Sequence, residues 1–283
     1  SGIEPIEGIA QTGVMAEIKG RNPGRKSIAL RADMDALPIE EANNVIYKSR
    51  NPGVMHACGH DVHTSSLLGT AKILNQVKDQ FEGTVRLLFQ PGEERNPGGA
   101  SYMIRDGALE NPRPSSIMGQ HVFPLLPVGK IGFREGMYMA SADEIYLKVI
   151  GKGGHGAAPD LCIDPIVIAS HIIIALQQII SRNANPRQPT VLTFGNIVGQ
   201  GATNIIPNEV NIAGTFRAMN EEWRESALVK IEKMAKGIAE AMGGKCEVNI
   251  SRGYPYLENN PELTRRIRAA AEEYVGKDNV VDL

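Results

Sequence analysis

From residue 144 to 251 the sequence runs through elements in an order that few folds accommodate. Strand patterns at 144–150, 190–197, 209–218 and 245–251 enclose helical patterns at 164–182 and 220–242, giving β-α-β-β-α-β. That order is the signature of a ferredoxin-like sandwich, a self-contained unit of about a hundred residues. A chain of 283 residues therefore has room for a second domain around it.

The first half has a different pattern. Short apolar runs at 13–18 and 26–32 read as strands, the second ending in Asp33, Met34 and Asp35. A helical pattern over 63–80 places Leu67, Leu68, Ala71, Leu74 and Val77 on one face, and Gly83 precedes a strand at 84–89 that Pro91 and Gly92 end. A short helical pattern at 99–109 and a strand at 116–120 come next. Strands separated by helices predict an α/β domain, a mostly parallel sheet with helices on both faces. After residue 259 the pattern returns to helix, with Leu263, Ile267, Ala270, Ala271 and Tyr274 on one face, and 280–283 reads as an entering strand. The small domain, 141–252, thus reads as an insertion into a larger one formed by 1–140 and 253–283.

Charge and cysteine content narrow the classes of partner. Thirty Lys and Arg against 32 Asp and Glu leave a net charge of -2, without the basic footprint of a nucleic-acid binder. Small molecules, or a second copy of the chain, are the expected partners. Cys58, Cys162 and Cys246 are too scattered for a disulfide framework and fit a reducing compartment, the cytoplasm by default. Polar residues interrupt the longest apolar run, 163–180, so the sequence reads it as a buried helix and no membrane as a partner. Residues 1–12 carry neither the basic nor the apolar region of a signal peptide.

Five of the six histidines fall where chemistry is expected. In Met55-His56-Ala57-Cys58-Gly59-His60-Asp61-Val62-His63, a thiol and an imidazole separated by one glycine can reach a common ion, because glycine lets the backbone fold tightly between them. Read alone, the segment is equally an ordinary loop with a buried free cysteine. Glu93 and Glu94 come after one predicted strand, His121 ends the next, and Asp33 and Asp35 end an earlier one. In an open parallel sheet those carboxyl ends face a common crevice. Divalent ions there lower the pKa of bound water and polarise a carbonyl, which is the chemistry of hydrolysis. If the Glu93–Glu94 segment is extended, neighbouring side chains point opposite ways, so one can bind metal while the other serves as general base. His155 among glycines reads as a turn histidine, Arg217 as a solvated strand end suited to bidentate carboxylate binding, and His171 as a packing or interface residue.

Four ordered motifs, Arg31-Ala32-Asp33-Met34-Asp35-Ala36-Leu37-Pro38, His56-Ala57-Cys58-Gly59-His60-Asp61, Gln90-Pro91-Gly92-Glu93-Glu94 and Gly119-Gln120-His121-Val122, resemble the M20 metallopeptidase family in its amidohydrolase branch. That branch contains aminoacylases, hippurate hydrolases, auxin-conjugate hydrolases and N-acetyldiaminopimelate deacetylases. The resemblance implies that Cys58 bridges two metal ions, that His60, Glu94 and His121 complete much of the coordination, that Glu93 is the base and that Asp35 supports the ligands. It also implies that the inserted domain is a lid through which the protein dimerises. His155 in Gly153-Gly154-His155-Gly156 would reach the partner subunit's site to steady the oxyanion, and Asn204 and Arg217 would bind substrate. The family places a further metal-binding His near its carboxyl end, after a Ser-Glu-Asp-Phe-like segment, and no such motif occurs in these residues.

The reading is then a dinuclear metal-dependent amidohydrolase acting on N-acyl amino acids or similar small amides, with zinc or manganese expected and cobalt or nickel admissible. The alternatives are a truncated homologue that binds metal or ligand without turnover, and a dipeptidase.

Overall fold

The strand Thr84–Gln90 is buried along its whole length, so it needs apolar cover on both faces. It lies inside a five-stranded sheet in the first of two units, bounded at Leu125 and Leu126, in a computed structural model that describes residues 2–283. The strands are β1 (Pro5–Ile9), β2 (Gly13–Lys19), β3 (Ser27–Asp33), β4 (Thr84–Gln90) and β5 (Ile117–Gly119), in the order β1-β2-β4-β3-β5. Helix α1 (His60–Gln76) precedes β4 and α2 (Gly99–Arg105) comes after it.

β4–β3 and β3–β5 pair in parallel, whereas β1–β2 and β2–β4 are antiparallel. The sheet is therefore mixed, not mostly parallel as the strand-helix alternation predicts. No helix crosses over between β1 and β2: Ala10 and Gln11 turn back at positive φ, and a hairpin is antiparallel by construction.

Alternation along β4 divides the cover. Val85, Leu87 and Phe89 join Ala16, Ile18, Ala32 and α1's Leu67 and Ala71 in one cluster. On the opposite face Leu88 joins Ala29, Met103 and Ala108 beneath α2. Arg86 is also buried, and its guanidinium is satisfied by Glu17 and by the carbonyls of Ala108 and Glu110.

The second unit contains β6 (Ile131–Phe133), β7 (Gly136–Met139), β8 (Asp143–Ile150), β9 (Gly154–His155), α3 (Pro165–Gln178), β10 (Thr190–Val198), β11 (Ile205–Ile206), β12 (Glu209–Ala218), α4 (Glu221–Ala241), β13 (Lys245–Ser251), β14 (Leu257–Asn259), α5 (Pro261–Val275) and β15 (Val280–Asp282). Strands β10-β12-β8-β13 form an antiparallel sheet in the order a ferredoxin-like unit requires. Inward residues of β8, Ile145, Leu147 and Val149, meet α3's Ile168, Ile172 and Leu176 and α4's Ala227, Leu228 and Ile231. Asp164 and Asn220 cap the two helices by accepting the first free amides. A buried, bidentate Arg224–Asp143 pair ties α4 to β8 at 2.7 and 2.6 Å. β7 pairs with β14 and β6 with β15.

The run Pro165–Asn183 is long and apolar enough to cross a membrane by length and composition only, and one of its faces is core, as the sequence reading of a buried helix expects. The interruptions fall on the face away from the core. Ile168, Ala169, Ile172, Leu176 and Ile179 are buried in the unit's core, while Ile166, Val167 and Ile174 are exposed and His171 lies on the outside.

Candidate metal centre

Three parallel strands, β3, β4 and β5, end on one side of the first sheet, and the candidate site is assembled at and just beyond their carboxyl ends. Asp33 is the last residue of β3, and Asp35 lies two beyond. Glu93 and Glu94 lie in a turn after β4, and His121 comes two residues after β5. α1 delivers the fourth contribution. Its N-cap is Gly59 at φ +82°, so Cys58 stands just before the helix and His60 is its first residue. A Cβ at Gly59 would lie 2.4 Å from Val122 Cγ2, so glycine is required by close approach as well as by its conformation.

The side chains converge. One ligand atom each from Cys58, His60 and His121 lies within 4.8 Å of the others, and the same is true of His60, Glu93 and Glu94. Cys58 Sγ is 3.3 Å from His121 Nε2. His121 Nδ1 is 2.6 Å from the Val122 carbonyl, which fixes the proton on Nδ1 and leaves Nε2 a lone pair. His60 Nδ1 lies 3.0 Å from the Asp35 carbonyl and 3.1 Å from its Oδ1, so it too donates through Nδ1. Asp35 Oδ2 accepts the Glu94 amide at 2.9 Å and so joins the turn to the histidine.

His60 Nε2 is the informative atom. It is buried, has no hydrogen-bond partner among the described residues, and stands 3.6 Å from Asp33 Oδ2 and 3.8 Å from Glu94 Oε1. An imidazole lone pair buried without a donor is costly, and a cation beside carboxylates and a thiol would satisfy it. The soft and hard donors together fit divalent metal ions.

The Glu93–Glu94 pair does not divide by strand alternation, because the segment is a turn and not extended. It divides by environment. Burial, then the charge of Glu94, raises the Glu93 carboxyl above its ordinary value despite Arg31. The Cys58 thiol is pushed up to about 11 by burial and by Glu94, Glu93 and Asp33, so without a cation it keeps its proton. Val122, packed on Gly59, is a constituent that sequence reasoning missed, since an apolar residue after a histidine carries no signal of its own.

The second unit holds the other residues singled out by sequence. His155 lies on β9 opposite Ile205, and the Asn204 carbonyl accepts the Gly156 amide at 2.8 Å, so His155 and Asn204 share one small substructure. Both are exposed. The Ala157 amide donates to His155 Nδ1 at 3.1 Å, which leaves the neutral ring's proton on Nε2. Arg217 sits at an exposed position of β12 opposite Val191.

A two-unit α/β chain whose first unit gathers Cys, His and Glu donors at strand ends is built like a metallohydrolase. The family model for peptidase family M20/M25/M40 matches residues 29–283, and the chain belongs to that family of metal-dependent hydrolases of amide bonds. It is 45% identical to an N-acyl-L-amino acid amidohydrolase of Geobacillus stearothermophilus, over 89% of this chain and 67% of that one. It is 42% identical to the hippurate hydrolase of Campylobacter jejuni, over 98% and 72%. Among solved structures, a Bacillus subtilis dinuclear metal binding peptidase of the M20 family superposes with a TM-score of 0.78 at 36% identity, covering 99% of this chain and 71% of that one.

Proposed function

We propose that the protein is a dinuclear metal-dependent amidohydrolase that removes the acyl group from N-acylated amino acids or related small amides. The unpartnered, buried His60 Nε2 among Cys58, Glu93 and Glu94 carries this reading. The names of the amidohydrolase and hippurate hydrolase relatives support the substrate class.

Cys58, His60, Glu94 and His121 would hold two divalent ions, and Asp35 would brace His60 and the Glu94 turn. The ions are zinc or manganese, with cobalt or nickel as substitutes. When bound, they supply a polarised carbonyl and a nucleophilic water at neutral pH. Glu93 takes the proton of the attacking water and later returns it to the leaving amine, a task its raised pKa serves. His155, with its proton on Nε2, is a neutral donor for the developing oxyanion in the partner subunit's site. Arg217 receives the substrate carboxylate through its guanidinium, and Asn204 binds beside it.

Residues 141–252 act as the lid, set between the two parts of a catalytic domain, 1–140 and 253–283. The segments on either side of the lid pair with one another, β7 with β14 and β6 with β15, within the second unit. The outward Ile166, Val167 and Ile174 of α3 supply an apolar face for a homodimer. Three free cysteines fit a reducing cytoplasm.

The test is a panel of N-acetyl and N-benzoyl amino acids and dipeptides, assayed with and without added metal and chelator. Chelator-sensitive release of the free amino acid supports the reading. Cleavage of dipeptides alone, or hydrolysis indifferent to chelator, rejects it.

A further inference from the structure

We propose that His63, fixed by Asp33, is a positioning residue that orients the His121 imidazole through the backbone of Val122. The inference rests on the proposed metal site and concerns a group to which that proposal gives no role.

Asp33 and His63 are both about 1% exposed. Asp33 Oδ1 lies 2.6 Å from His63 Nδ1, and Oδ2 accepts from Arg31 Nη1 at 2.7 Å. Arg31 Nε in turn donates to Gln90 Oε1 at 2.8 Å, and Thr64 Oγ1 donates to the Asp33 carbonyl at 2.9 Å. A backbone amide can only donate, and the Val122 N–H points at His63 Nε2, so Nε2 presents a lone pair and the ring proton sits on Nδ1, toward Asp33. That lone pair accepts the Val122 amide at 2.9 Å.

Both His63 nitrogens are therefore engaged. Asp33, His60 and His63 also approach one another within 4.8 Å, but His63 has no lone pair left for an ion, whereas His60 does. Val122 is in turn held on three sides. Its amide goes to His63, its carbonyl accepts His121 Nδ1 at 2.6 Å, and its side chain packs on Gly59 between Cys58 and His60. The His63 and His121 rings meet edge to face with centroids 4.5 Å apart. A chain of contacts from Arg31 to Val122 thus sets which His121 nitrogen carries a proton and where the other points. Such outer partners of ligating histidines typically change metal affinity 10–100-fold when removed.

Two measurements on the full-length protein test this. In the metal-free protein, histidine ¹⁵N shifts are expected to place the protons of His63 and His121 on Nδ1; a His63 proton on Nε2 overturns the inference without any variant. With cobalt(II) as the probe, His63→Leu is expected to weaken binding roughly 10–100-fold and to alter the cobalt absorption bands. His63→Gln, whose amide oxygen can accept the Val122 N–H, is expected to retain most of the affinity and the bands. A merely structural role would lower the melting temperature and leave the bands of the folded protein unchanged. Unaltered affinity and bands in His63→Leu overturn this inference alone, whereas absence of cobalt binding in the wild type overturns the metal reading and this inference with it.

Discussion

The thiol of Cys58 gives the site a measurable dependence on pH. Its pKa stands at about 11 without metal, so a cation that takes the thiolate as ligand must first displace a proton. At pH 7.5 that displacement costs about 5 kcal/mol, being roughly 3.5 pH units at about 1.36 kcal/mol each. Raising the pH lowers the cost, so affinity should climb by up to about tenfold per pH unit between pH 7 and 9. Calorimetric titration of cobalt or zinc in buffers of different ionisation enthalpy should count about one proton released from the thiol per site. In Cys58→Ala the count should fall by one and the slope above pH 7 should flatten. A wild-type affinity independent of pH, or a slope unchanged by Cys58→Ala, would refute the assignment of the thiolate as ligand.

The remaining predictions concern the base, the loop and the lid. Glu93→Gln should lower turnover by about 10²–10⁴ with metal content retained, read from steady-state kinetics and metal analysis of the same sample. Gly59→Ala places a side chain at φ +82° and 2.4 Å from Val122 Cγ2, so it should cost about 1–3 kcal/mol in denaturant unfolding and weaken metal binding. Asp143→Asn removes the carboxylate that holds the buried Arg224 bidentately and leaves Glu221 as its counter-charge, so it should destabilise the second unit by about 1–3 kcal/mol, read as a shift in its unfolding midpoint.

Legibility in the sequence tracks the range of the interaction that forms each element. β12 and β13 are read to the residue because alternation and neighbouring turns define them locally, and α4 is read to within its Asn220 cap. α1 begins three residues earlier than its apolar spacing predicts, because Gly59, in a left-handed conformation, stands where a Ser, Thr or Asp cap would have announced the start. β1 is an edge strand with four of its five residues exposed, and so carries no alternation to read. β6, β7 and β14 are three or four residues long and exist through partners distant in the chain. The donors Cys58, His60, Glu93, Glu94 and His121 and the importance of strand ends are legible from motif chemistry, whereas the choice of Glu94 as ligand comes from the family resemblance. What the motifs do not encode is environment. The turn that carries Glu93 and Glu94, the lone pair left on His60 Nε2 and the Asp33–His63–Val122 relay all depend on contacts between segments about 25 or more residues apart.

The most direct test of the central claim is anomalous diffraction from crystals of the full-length protein soaked in manganese or zinc. Two peaks per chain, one of them within coordination distance of His60 Nε2 and both bounded by Cys58, Glu94 and His121, are the expected result. Crystals that take up metal elsewhere, leaving no peak beside His60 Nε2, would contradict the account.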